Sequence, residues 1–279
     1  ARIAPETIVF QRQIEEHQIE KIEEIKRHSR AFRVFELDDL LTNLPLKSVH
    51  RPNIPRDVGQ RLRRALASCD RLVVSTEPLA KAYGAMCDQA VVVPNRLERS
   101  RWQGLREQPR GEGRTRVGWA GALGHLGDLE MMASVVEETA KEVDWVFFGM
   151  CPDALRPFVK EFHDWVPIPE YPAKLASLGL DLGVAPLEFN PFNEAKSNLR
   201  LLEYGVLGIP VICTDIVPYQ GDLPVCRVKN RHRDWVKAIR EMASDRAACQ
   251  REGETLRQAV LADWMLDQHL DEWCKAWLR

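Results

Sequence analysis

Apolar residues along this chain fall into short runs rich in β-branched side chains, separated by longer stretches in which they recur every three or four positions. That alternation predicts parallel strands joined by crossover helices, an α/β protein. Before residue 95 the runs place strands at 7–10, 32–37, 72–75 and 91–93. A first helix is expected at 13–30, with Ile14, Ile22 and Ile25 on one face and Glu and Lys opposite, the stripe of a helix packed on a core. Over 96–115 (RLERSRWQGLREQPRGEGRT) the periodicity is lost and the composition turns to Arg, Glu, Gln, Gly and Pro, as in an interdomain linker. Strands are predicted again at 117–120, 145–148, 165–168, 182–185, 210–213 and 225–228, and from Arg233 the pattern stays helical to the end. The expected organisation is a reduced Rossmann-like domain at 1–95, the linker at 96–115, a second Rossmann-like domain at 116–262, and a C-terminal helix at 263–279 free to pack back on the first domain.

Composition narrows the function classes. With 279 residues the chain is long enough for two cores. A first unit of about 95 residues is nevertheless small for a domain, so it is either reduced or cut. The formal charge is -2, from 39 basic and 41 acidic residues, which leaves no global field to attract nucleic acid or an anionic membrane. The 7 cysteines are scattered, with no Cys-x-x-Cys pair and no zinc-type spacing, the usage of a reduced, cytoplasmic protein. No apolar run is long enough to span a bilayer and no signal peptide is evident. The start at Ala1 without methionine, close to the apolar run at 8–10, suggests a processed or excised chain.

The chemistry concentrates in 193–213, NEAKSNLRLLEYGVLGIPVIC. A helix opening at the carboxyl end of a parallel strand presents unpaired N–H groups and a partial positive charge, a natural seat for phosphate. Here the strand at 182–185 is followed by a loop and a helix expected to open near Lys196 or Ser197, with Asn198 and Leu199 in its first turn. Lys196 adds a full charge there. Glu203 falls two turns along the same face, about 10 Å deeper at 1.5 Å per residue, where its carboxylate could accept both hydroxyls of a ribose. Arg200 lies between them and either joins the site or pairs with Glu203 at i to i+3.

This segment resembles the donor-binding half of retaining GT-B glycosyltransferases of the family 4 type, which use sugar nucleotides. In many of these, two glutamates with seven residues between them bracket a glycine-rich turn ahead of a small-residue helix and a Gly-x-Pro-Val strand entry. The second half matches closely, with Glu203, Tyr204, Gly205, Gly208, Ile209, Pro210 and Val211. In the first half Lys196, Ser197 and Asn198 replace the glycines, and the acidic residue, Glu194, stands one place early. Two further segments agree in order: 117–128 (VGWAGALGHLGD) resembles the first strand and glycine-rich loop of the donor domain, and 165–187 (WVPIPEYPAKLASLGLDLGVAPL) the stretch whose backbone contacts the base. The softer motifs FELDD at 35–39 and VVPN at 92–95 are also familiar from GT-B proteins.

The resemblance implies a two-domain GT-B fold and transfer of a sugar from a nucleotide diphosphate to an acceptor hydroxyl, with retention and without a metal or cofactor. By the same resemblance Glu203 binds the donor ribose; Lys196, Ser197, Asn198, Leu199 and Arg200 surround the diphosphate; and Glu194 reaches the sugar. Gly121 belongs to the loop approaching the diphosphate, and Val166 and Ile168 to the base contact. His125 either donates to a phosphate or is a loop residue ahead of Asp128, a natural N-cap for a helix at 129–142. Asp39 either orients an acceptor hydroxyl or, with Asp38, turns the chain. The arginines at 51, 56, 61, 63 and 64 either meet an anionic acceptor or form a solvated helix face. Expected partners are the nucleotide sugar and a carbohydrate, glycolipid or protein acceptor, with no nucleic acid and with peripheral membrane contact left open. Two alternatives remain: a nucleotide-sugar epimerase of the same fold, and a non-catalytic nucleotide-sugar or carbohydrate-binding module of a larger protein.

Overall fold

The computed structural model describes residues 4–106 and 113–279. The described residues form two parallel sheets. The first contains β1 (Thr7–Gln11), β2 (Phe32–Leu37), β3 (Arg71–Val74) and β4 (Ala90–Val92) in the order β1-β2-β3-β4. The second contains β5 (Arg116–Ala120), β6 (Asp144–Gly149), β7 (Glu161–Asp164), β8 (Leu182–Ala185), β9 (Val211–Thr214) and β10 (Cys226–Val228) in the order β10-β9-β8-β5-β6-β7. The protein is thus α/β, with two Rossmann-like units.

Nine predicted strands lie within a residue or so of their places, and one does not. The run at 165–168 is a loop, and the strand comes just before it at Glu161–Asp164, where it pairs with β6. Pro167 and Pro169 have no N–H to give to a ladder. Trp165 and Ile168 are each 74% exposed, so of the apolar run only Val166 packs against a core. The helix expected at 129–142 is likewise two shorter ones, Leu126–Met131 and Ala133–Thr139.

Pleating divides the residues of β2 between two cores. Phe35 and Leu37 face Ile19 and Ile22 of the Glu16–His28 helix and Leu62 and Leu66 of the Val58–Leu66 helix. Phe32 and Val34 face the other way, where Val73, Val93 and Ala276 of the final helix, Leu270–Trp277, complete a cluster. Arg71 fastens that helix by donating to the carbonyls of Lys275, Ala276 and Leu278 at 2.6, 3.0 and 2.9 Å, satisfying groups a helix end leaves unpaired. The end of the chain thus packs onto the first sheet.

Of the segment at 96–115, residues 107–112 fall outside the described residues. Its beginning is built into the second unit: Leu97 and Trp102 are buried in the large core there, and Leu97 bonds the backbone of Trp264 and Leu266.

At the crevice of the second sheet, where strand order reverses between β5 and β8, the ladder is short. Only Val117 with Leu182 and Gly118 with Gly183 pair. Above them the N–H of Ala120 donates to the Tyr204 hydroxyl at 2.9 Å instead of to β8. Tyr204 is fully buried, and Gly183 makes room for it, because a Cβ there would stand 3.0 Å from the ring. A phenol therefore wedges the strands apart at their carboxyl ends while keeping the freed amide satisfied. Removing it as Tyr204→Phe should destabilise the protein by about 1–3 kcal/mol, the cost of a buried donor left unpaired, read as a lower denaturant midpoint at unchanged slope.

Candidate functional site

The carboxyl ends of the two sheets face each other, and one segment joins them. After β8 the chain makes a single turn, Pro191–Glu194, capped by the Asn190 side chain, and then a bend before the helix Leu199–Leu207. The helix opens at Leu199 and not at Lys196 or Ser197, with Asn198 at its N-cap. The residues before it are held elsewhere. Phe192 and Ala195 pack into the core of the first unit, and Thr76 donates to the carbonyl of Ala195 at 2.8 Å. Asn95, at the end of VVPN, donates to Ser197 Oγ at 3.0 Å.

Behind the helix start lies a buried polar cluster. Glu203 accepts from the Tyr171 hydroxyl at 3.0 Å, and Tyr171 is stacked on Phe148 and edge-on to Trp102. Burial pushes the Glu203 carboxyl up, opposed by the Arg200 charge and the Tyr171 bond. Burial likewise pushes the Tyr171 phenol up, reinforced by the Glu203 charge. Arg200 Nε stands 3.3 Å from Glu203 Oε2, the ion pair open to it by spacing, yet without hydrogen-bond geometry. Gly121 is needed beside it: a Cβ there would come 2.6 Å from the Trp119 ring and 3.3 Å from Arg200 Nη1.

Lys196 sits nearer the mouth, its ammonium 5.3 Å from the centre of the Phe192 ring, with no ion pair within 4.0 Å among the described residues. Burial lowers its pKa, while the carboxylates of Asp128 and Asp39 oppose the fall. Lys196 and Arg200 thus bring two positive charges to a helix start, an arrangement suited to an anion.

His125 and Asp128 form the third part. Asp128 does not cap a helix; it lies inside the Leu126–Met131 helix, 3% exposed, because its carboxylate is occupied across the crevice. Oδ1 accepts from the backbone N–H of Glu188 at 2.7 Å and from Asn193 Nδ2 at 2.9 Å, and Oδ2 contacts His125 Nδ1 at 2.7 Å. Burial lowers the imidazole pKa to about 4, reinforced by Lys196 and Arg200 and opposed by Asp128.

On the opposite wall Asp39 bonds Arg12 Nη1 at 2.9 Å, and burial beside Asp38 pushes its carboxyl up against the pull of Arg12 and Lys196. Arg12 holds φ at 50°, the left-handed region, alone among the described non-glycine residues, a strain of the kind that collects at functional sites. Glu194 lies apart, lining a recess with Leu40, Pro78 and Lys81. Val166 packs against the core beside the crevice, and Ile168 is exposed in the loop after β7. Much of the arginine group is a paired helix face: Arg61 meets Asp57, Glu15 and Glu16, and Arg64 meets Glu16 and Glu23.

Tyr171, Asp128, Asn193 and Arg12 enter this arrangement without having been singled out as site residues from sequence. The His125–Asp128 spacing of three, one helical turn, was the signal available for Asp128; Tyr171 and Arg12 meet their partners only through the tertiary fold. Among the described residues no cluster of three or more His, Cys, Asp or Glu side chains is arranged to hold a metal ion, and no helix is long and apolar enough to cross a membrane.

No protein-family model matches the chain, and no curated protein sequence matches it. Solved structures do. TarM of S. aureus superposes with a TM-score of 0.65 at 12% identity over 89% of this chain and 51% of that one, so the chain spans about half of TarM. HepE of Anabaena, solved with UDP and glucose, gives 0.64 at 11% over 94% and 76%. An alpha-glucosyltransferase solved with UDP gives 0.64 at 12% over 97% and 80%. These are glycosyltransferases of the GT-B type, and at such identities the likeness is one of fold: this chain has the GT-B arrangement of two Rossmann-like units.

The lowered pKa of His125 has a measurable sign. An unfolded chain takes up this proton near pH 6.5, whereas the folded imidazole refuses it until about pH 4. Stability should therefore fall as pH drops from about 6.5 to 4, and His125→Gln should flatten that decline when denaturant midpoints are compared across the range.

Proposed function

We propose that the chain is a glycosyltransferase that moves a sugar from a nucleotide-diphosphate donor to an acceptor hydroxyl. The observation that carries this reading is the helix start at Leu199, with Lys196 in the bend before it and Arg200 in its first turn, and with Glu203 buried behind them on Tyr171. The diphosphate lies across the amides at 198–199, between Lys196 and Arg200. The ribose sits over Glu203, and the base sits by the loop at 166–168. That the similarly folded HepE and alpha-glucosyltransferase were solved with UDP supports a nucleoside-diphosphate donor.

As the bond to the sugar breaks, charge accumulates on the departing diphosphate. Preorganised positive groups meet it without reorganising, and these are Lys196, Arg200 and the helix dipole. The protein's own cations serve this role, so the reading requires no metal or further cofactor. Retention of anomeric configuration follows from the family 4 resemblance of the 193–213 segment. Asp39, steadied by Arg12 on the facing wall, orients the acceptor hydroxyl. The acceptor is a carbohydrate, glycolipid or protein, and the cysteines, all unpaired, suit a reducing cytoplasmic setting.

Incubation with labelled UDP- and GDP-linked sugars and a pool of acceptors should give acceptor-dependent release of nucleotide. An epimerase would convert the sugar without acceptor, and a binding module would bind without turnover. Glu203→Ala and Lys196→Ala should each weaken binding of the nucleoside diphosphate tenfold or more in calorimetry, about 1.4 kcal/mol, at a temperature where circular dichroism shows the variant folded; Glu203→Ala should also lower the unfolding temperature, since it leaves Arg200 and Tyr171 without their buried partner. Parent-like binding by both variants would remove the site from this helix.

A further inference from the structure

The contacts of Asp128 determine what His125 can do, and this inference rests on the donor reading above. A carboxylate only accepts hydrogen bonds. With Oδ1 filled by the Glu188 amide and by Asn193 Nδ2, Oδ2 is left facing His125 Nδ1 at 2.7 Å, and the proton of that contact belongs to the imidazole. A neutral ring carrying its proton on Nδ1 has a bare lone pair on Nε2. Nε2 makes no hydrogen bond among the described residues, and the side chain keeps 22% of its surface open.

The surroundings hold the ring neutral. Lys196 and Arg200 both act on it electrostatically, and its edge-on contact with Trp119, 5.9 Å between ring centres, fixes its plane. A group in this state cannot donate to a phosphate, the role open to His125 from sequence. It can accept from a hydroxyl. The loop that carries it leaves β5 beside the diphosphate corner, since Gly121 borders Arg200, so the hydroxyl within reach is one on the sugar attached to that diphosphate.

We propose that Asp128 locks His125 in the Nδ1–H tautomer and that Nε2 accepts a hydrogen bond from a hydroxyl of the donor sugar, making Asp128 a positioning residue for sugar recognition. Three segments meet at this carboxylate: the loop after β5, the backbone after β8, and the turn leading to Lys196. Asp128 thus ties the sugar-reading ring to the phosphate-reading helix.

The test exchanges one atom. In Asp128→Asn the amide oxygen still serves Glu188 and Asn193, while the amide NH2 now donates to His125 Nδ1 and drives the ring proton to Nε2. Nitrogen-15 NMR of the ligand-free parent should show the Nδ1–H tautomer, and the variant Nε2–H. Calorimetry then compares the sugar nucleotide that the parent binds most tightly, from a panel of UDP- and GDP-linked hexoses, with its nucleoside diphosphate. Asp128→Asn should bind the diphosphate no more weakly than the parent, since it removes a negative charge beside Lys196, and the sugar nucleotide about tenfold more weakly relative to that diphosphate, roughly one hydrogen bond left unmade. His125→Ala, which leaves the Asp128 contacts to Glu188 and Asn193 in place, should show the same selective loss.

An Nε2–H ring in the parent would overturn the proposal. So would variants that bind both ligands like the parent, or that lose both equally as a purely structural role requires. A parent that binds neither ligand would sink the donor reading itself, whatever the tautomer proves to be.

Discussion

The segment from Asn190 to Asn198 has to satisfy two units at once, and the site depends on that constraint. Its apolar residues, Phe192 and Ala195, belong to the core of the first unit, while the Asn193 side chain is bound by Asp128 of the second. Carbonyl and hydroxyl groups along it are taken by Thr76 and Asn95 from across the cleft. The helical turn Pro191–Glu194 ends inside this doubly held segment, and the next helix begins only at Leu199. The bend that results puts Lys196 at the mouth, free of an ion pair within 4.0 Å among the described residues.

Burial then shapes the chemistry behind the bend. Enclosing Arg200 and Glu203 costs several kcal/mol per ion before compensation. The compensation here is partial: Tyr171 donates to Glu203, and the nearest Arg200 nitrogen approaches the carboxylate without bonding geometry. A polar cluster left under-satisfied by its own protein has capacity for a ligand. The Tyr204 wedge makes the space, since its hydroxyl takes the amide that would have zipped β5 to β8 and so opens the crevice above them.

Elements governed by local pattern were legible in the sequence. The runs that became β2 and β8 carry enough β-branched and apolar content to mark their ends to the residue. The loop at 165–168 mimics a strand through its apolar side chains, while the two prolines that forbid one register only as missing backbone donors. The helix start differs from its expected place for another reason: Lys196 and Ser197 suit a first turn, and the segment that holds them is bound to the other unit, some 120 residues earlier along the chain. Glu203, Lys196 and Arg200 stood out because they share one helix or its entry. Arg12, Asp39 and Tyr171 find their partners across 27 or more residues, and a single sequence holds no trace of such pairs. The packing of the final helix on the first sheet is of the same kind, a contact between the two ends of the chain.

The most direct measurement is a crystal structure of the protein soaked with a sugar nucleotide. The account predicts the diphosphate at the start of the Leu199–Leu207 helix between Lys196 and Arg200, with the ribose hydroxyls on the Glu203 carboxylate. A diphosphate bound anywhere else, or a ribose out of reach of Glu203, would contradict it.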